Sequence, residues 1–97
     1  MFLSDAILPE KLTLEDTVPL MLSDDYRKRM KAEYMQTLIR ANRLYHAIMN
    51  GTLKNRERDL TLAWNQYTAM SSYLDCLQRR MMKEKFLNEV MEEIKQC

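Results

Sequence analysis

The sequence predicts an all-α protein: an antiparallel helical hairpin with an N-terminal arm, assembling into an oligomeric helical bundle. Three observations carry that expectation. Two long stretches repeat apolar residues at alternating steps of three and four, the spacing a helix shows to one long partner. The 97 residues hold one Gly and two Pro, with 46% hydrophobic and 30% charged residues, which suits soluble helices and leaves a sheet without its turns. More apolar residues remain than one seam between two helices can bury, and a chain this short has a thin core of its own.

Residues 1–22 form the expected arm. They carry both prolines, Pro9 and Pro19, and no sustained period, yet Leu3, Ile7, Leu8, Leu12, Leu14, Val18, Leu20, Met21 and Leu22 are too apolar for a free tail. The arm should therefore pack on the body or on a neighbouring subunit, with Thr13 capping a short turn.

Residues 23–97 form the expected hairpin domain. Ser23 offers an N-cap hydroxyl, and Asp24 and Asp25 suit the positive end of a helix dipole. From there Met30, Tyr34, Thr37, Ala41, Leu44 and Ile48 make one stripe, closed by Asn50 and Gly51, Gly being the residue that best accepts the left-handed conformation past a helix end. The first helix is expected to span about 27 residues, or roughly 40 Å.

The second long helix is capped by Thr52 or Asn55. Its seam is Leu60, Ala63, Tyr67, Met70, Leu74, Leu77 and Met81, and a short loop between two such helices makes them antiparallel. After Met81 the register shifts by one position to Met82, Phe86, Val90 and Ile94, widened by Leu87 and Met91. Here the helix either bends into a third one or turns its apolar side toward another chain; with no Gly or Pro in residues 52–97, continuation with a gentle shift is the favoured expectation. Met35, Ile39, Tyr45, Met49, Leu62, Trp64, Tyr73, Met82 and Phe86 fall outside the seams, and this surplus implies association of several copies. The nine methionines make such a surface adaptable.

Several function classes fall away. No apolar run approaches the roughly 20 residues of a membrane span, and the opening MFLSDAILPE has an acidic residue where a secretory signal wants basic ones, so an intracellular protein is expected. Cys76 and Cys97 stand 21 positions apart with no Cys-x-x-Cys and no nearby histidine, and the single His46 cannot build a metal site alone. Glycine-rich phosphate loops, GxSxG and HExxH are all missing, and Asp24 and Asp25 read as partners of their own helix dipole, so no catalytic residue, cofactor or metal is expected. The net charge of +1 and the lack of a helix-turn-helix signal argue against a duplex nucleic acid partner.

Charge distribution points to a ligand class. Between Tyr26 and Arg58 lie nine basic residues against two acidic ones, a concentration that raises the local anion density without a large net charge. Along one helix Tyr26, Arg27, Arg29, Tyr34, Arg40, Arg43 and Tyr45 interleave guanidinium forks with flat rings; the forks grip phosphate and the rings stack on bases. The same residue types also suit a protein interface.

The pattern resembles a family of small phage proteins built on a helical hairpin, which assemble into oligomers, commonly hexamers, and act as sponges for nucleotide immune signals. "DYRKRMKAEY" supplies the tyrosine-arginine pair Tyr26 and Arg27 near the start of the first helix. "RERDLTLAWNQYTAMSSYLDCLQRR" sets Arg56, Arg58, Leu60, Gln66, Met70, Tyr73, Leu77 and Arg79 in an order comparable to the family's second helix. Where the sponges place a lysine about four turns after the tyrosine, this chain has Ala41, flanked by Arg40 and Arg43. The resemblance covers roughly residues 22–82. It implies capture of cyclic di- or trinucleotides, or cyclic ADP-ribose variants, without cleavage, in the cytoplasm of an infected bacterial host. It also implies pockets between subunits that use Tyr26 and Tyr34 for base contacts and Arg27, Arg40, Arg43 and Arg79 for phosphates. The competing readings are a protein-binding counter-defence inhibitor, anti-CRISPR-like, and a structural phage helical-bundle protein.

Overall fold

The computed structural model describes residues 12–51 and 57–96, and every regular element within them is helical. The arm upstream of residue 12, the candidate caps Thr52 and Asn55, Arg56 and Cys97 lie outside the described residues.

The described part of the arm makes a 3-10 turn, Glu15–Thr17, that runs into a short helix α1 (Val18–Met21). Thr13 does cap this turn, reciprocally: its Oγ1 accepts from the Asp16 N–H at 3.4 Å, while Asp16 Oδ2 accepts from the Thr13 N–H at 2.9 Å. The arm is fastened to the body by Thr17, fully buried, whose Oγ1 donates to the Leu14 carbonyl at 2.6 Å and accepts from Gln36 Nε2 at 2.9 Å.

Helix α2 (Tyr26–Met49) starts two residues later than its expected first turn. Asp25 is the N-cap, its Oδ1 accepting from the Arg27 N–H at 2.9 Å, and Ser23 instead closes the preceding turn by accepting from the Asp25 N–H. A carboxylate satisfies the helix N–H groups and the dipole together, so it displaces the hydroxyl upstream. At the other end Asn50 and Gly51, the latter at φ 75°, terminate the helix where the sequence placed its end.

Helix α3 (Glu57–Lys83) buries Ala63, Tyr67, Leu74, Leu77 and Met81 against the α2 stripe. Tyr26 meets Glu84, Glu33 meets Tyr73, Tyr34 meets Gln78 and Tyr45 meets Tyr67, so one helix descends as the other climbs.

Continuation past Met81 is overturned. α3 stops at Lys83, and α4 (Leu87–Gln96) folds back. Lys85 sits at φ 67°, the Phe86 N–H reaches the Met81 carbonyl at 3.0 Å and the Lys85 N–H reaches Met82 at 3.1 Å. That double bond pattern is a Schellman stop, completed by Met81 and Phe86, both buried in the core. Arg27 lies against Phe86 and Lys31 against Glu93, so α4 runs alongside α2 in the same direction.

The returning helix and the arm take up part of the apolar surplus. Met35, Ile39 and Phe86 are buried with Leu12, Val90 and Ile94 in one core, and Tyr45 packs on it. Met49, Leu62, Trp64, Tyr73 and Met82 remain exposed; Met82, expected on the shifted face, is 64% exposed. Among the described residues no helix is long and apolar enough to cross a membrane.

Candidate functional site

The start of α2 packs against the turn after α3 and against α4. Between them lies a groove of about 330 Å³, lined by Asp25, Arg27, Lys28, Lys31, Lys85, Phe86, Glu89, Val90 and Glu93. Its size is at the lower end of small-molecule sites. Four cationic and three anionic side chains line it, and Asp25 is already engaged as the α2 cap.

Arg27 is its central cation. Its guanidinium carbon lies 5.9 Å from the Tyr26 ring centroid and 5.8 Å from that of Phe86, within cation–π range of both. The Tyr26 phenol beside it, then the Glu84 and Asp25 carboxylates, raise the pKa of this guanidinium. Lys31 is held in an ion pair by Glu93 across the groove. An anion entering here would meet a guanidinium and three ammonium groups, one of them paired, with the positive end of the α2 dipole behind them.

The six residues singled out from sequence are not brought together in one chain. Arg27 lines the groove. Tyr26 is 46% exposed on the opposite flank of α2, where its hydroxyl donates to Glu84, and it borders the site only through Arg27. Tyr34 belongs to the core at 2% exposure; its hydroxyl accepts from Gln78 Nε2 at 2.7 Å, and burial raises its pKa. A ring so enclosed presents no face for stacking in a single chain, and it positions the α2–α3 contact instead. Arg40 and Arg43 are exposed, 13 and 16 positions beyond Arg27, hence about 20 and 24 Å along the helix. Arg79 is exposed and paired with Asp75 at 3.1 Å one turn back on α3.

Lys28, Lys31, Lys85 and Phe86 escaped sequence reasoning. The signal for the first two was the dense run "RKRMK"; for the others it was the one-position register shift at Phe86, which marked the returning helix. Elsewhere, Tyr45, Trp64 and Tyr67 cluster near the far end of the helix pair, with centroids 5.5 to 6.5 Å apart and rings edge-on or tilted, and His46 abuts Tyr45 edge-on. Among the described residues no group of three or more His, Cys, Asp or Glu side chains could hold a metal ion.

Residues 24–83 match the family model described as Sequestin. That span takes in all of α2 and α3 and ends where α3 ends. Comparison with curated proteins and with solved structures returns no match.

Proposed function

The chain belongs to the Sequestin family, and from that premise we propose that it is a phage anti-defence sponge, which binds a cyclic nucleotide signal and holds it out of circulation without cleaving it. The family's name speaks for sequestration. The observation that carries the choice of ligand is the convergence of Arg27, Lys28, Lys31 and Lys85 on one groove with the Phe86 ring at its floor. Phosphate needs charge and N–H donors, and the groove offers both; Phe86, buried beneath Arg27, backs that guanidinium. Binding of this kind lowers the free signal by mass action, so it requires stoichiometric protein rather than turnover. Cyclic di- and trinucleotides and cyclic ADP-ribose variants all carry the phosphate such a groove would grip.

In this reading Arg27 and Lys31 grip phosphate, while Tyr26 orients Arg27 from the other side. Arg40, Arg43 and Arg79 stand outside the groove, so their contribution to the same ligand requires a neighbouring copy, as in the hexamers of the sponges the sequence resembles. The host cytoplasm, where such signals are made, is the expected place of action.

Calorimetric titration of the purified chain with a panel of cyclic di- and trinucleotides and cyclic ADP-ribose isomers tests this. Saturable binding of one class is expected, with the ligand recovered chemically intact after heat denaturation. Arg27→Ala and Lys31→Ala should each weaken binding by tenfold or more at unchanged helicity, while Arg40→Ala isolates the neighbour's share. No heat with any member of the panel, together with a stable complex with a bacterial protein, would establish the inhibitor reading in its place.

A further inference from the structure

The groove has walls of opposite charge. Arg27, Lys28 and Lys31 stand on the α2 side, Glu89 and Glu93 on the α4 side. Because α4 runs in the same direction as α2 and Lys31 meets Glu93, residues one turn earlier on each helix are level with one another. Glu89 therefore stands across from Arg27, about 6 Å along the helices from the ion pair.

The carboxylates of the groove are not equivalent. Asp25 accepts from the Arg27 N–H as the α2 cap, and Glu93 holds Lys31. Glu89 is exposed, and among the described residues its carboxylate has neither a hydrogen bond nor an ion pair. A free carboxylate facing the cations repels phosphate, so it lowers affinity unless the ligand brings it a hydrogen-bond donor. Glu89 also suits the positive end of the α4 dipole, a role that any position of the first turn would fill.

We infer that Glu89 reads the sugar of the bound nucleotide: with phosphate gripped by Arg27 and Lys31, its carboxylate accepts a hydrogen bond from a free ribose hydroxyl. The inference rests on the nucleotide reading of the groove. In any nucleotide the group joined directly to phosphate is the sugar, so a phosphate held on the α2 wall presents its ribose to the opposite wall. A carboxylate accepts and cannot donate, which makes it a natural partner for hydroxyl groups, as in the acidic residue that holds ribose in dinucleotide folds. The consequence is selectivity rather than grip. A ribose nucleotide offsets the repulsion that Glu89 imposes, whereas a deoxyribose nucleotide meets the repulsion alone.

Titration of the full chain with 3′,3′-linked cyclic di-AMP, cyclic di-GMP and cyclic ADP-ribose, each beside its deoxyribose counterpart, reads this. The ribose form should be held about tenfold more tightly than the deoxyribose form, the worth of one hydrogen bond to a charged group. Glu89→Ala should bring that ratio near one while leaving the deoxyribose form bound at least as tightly as before. Glu92→Ala removes the same charge from an exposed position of α4 outside the groove lining, and should leave the ratio unchanged. Equal binding of the two sugar forms, a ratio that survives Glu89→Ala, or a preference that follows the base instead of the sugar overturns the inference and leaves the cationic wall standing. A thermal midpoint that falls in Glu89→Ala with the ratio intact assigns the residue to the α4 dipole alone and overturns it too. No binding of any of these compounds removes the nucleotide reading itself, and this inference with it.

Discussion

Lys85 holds the left-handed conformation at φ 67°, a geometry in which a side chain crowds the following carbonyl by about 1–2 kcal/mol. The hydrogen bonds at the α3 stop and the burial of Phe86 hold it there. Lys85→Gly removes the crowding and gives back part of the gain in unfolded-state entropy, so it should stabilise the fold by about 0.5–1 kcal/mol, read as a higher denaturant midpoint. The same change removes one cation from the groove, so stability and anion affinity should move in opposite directions. A second residue-scale expectation concerns Tyr73. The Glu33 carboxylate that accepts its hydroxyl, and then partial burial, push its pKa up to about 12. The ordinary phenol value is about 10. With the folded value above the unfolded one, this bond's contribution to stability is complete below about pH 10 and is lost as pH rises toward 12. Glu33→Gln should bring one phenol back toward its ordinary titration, seen as phenolate absorbance appearing at lower pH than in the native chain.

Among the elements, the arm shows most plainly what a single buried polar contact does. Thr17 is fully buried, and its hydroxyl both ends the 3-10 turn and receives Gln36 from α2. Thr17→Val keeps the volume and leaves the half-buried Gln36 amide only its contact with Met21 Sδ, which should cost about 0.5–1.5 kcal/mol and open the arm to limited proteolysis before the helix pair melts. The two long helices were legible because each lays down a strict apolar stripe over many turns, and the Asn50–Gly51 end because glycine has a conformational reason to stand there. The start of α2 was legible only to within a turn: Ser23, Asp24 and Asp25 can each cap a helix, and the choice depends on how the chain leaves α1. The break before α4 was hidden, because it uses a lysine where a glycine would have announced it. Its trace was the displaced register of Phe86, Val90 and Ile94, which a bend and a reversal produce alike.

At the scale of the molecule, that reversal makes the groove, which is why sequence alone picked out Arg27 and missed Lys31, Lys85 and Phe86: their neighbourhood exists only once α4 lies beside α2. It also decides how strongly the groove can hold an anion. Lys31 has its side chain 17% exposed and is paired with Glu93, which is 48% exposed on α4, and Glu89 lines the same wall. Any phosphate that takes Lys31 must replace this carboxylate, so the intrinsic affinity is reduced by the strength of the internal pair. A half-exposed pair contributes about 0.2–1 kcal/mol to the fold, so removing its acid should harm stability little. Glu93→Gln should therefore tighten binding of the nucleotide identified by titration several-fold while lowering the denaturant midpoint only slightly, whereas Lys31→Gln should abolish most of the binding. Raising the salt concentration should weaken the native chain and the Glu93→Gln variant alike, since both rely on exposed cations. If Glu93→Gln binds more weakly than the native chain, the carboxylate is organising the site rather than competing for it, and α4 is then part of the ligand's own contact surface.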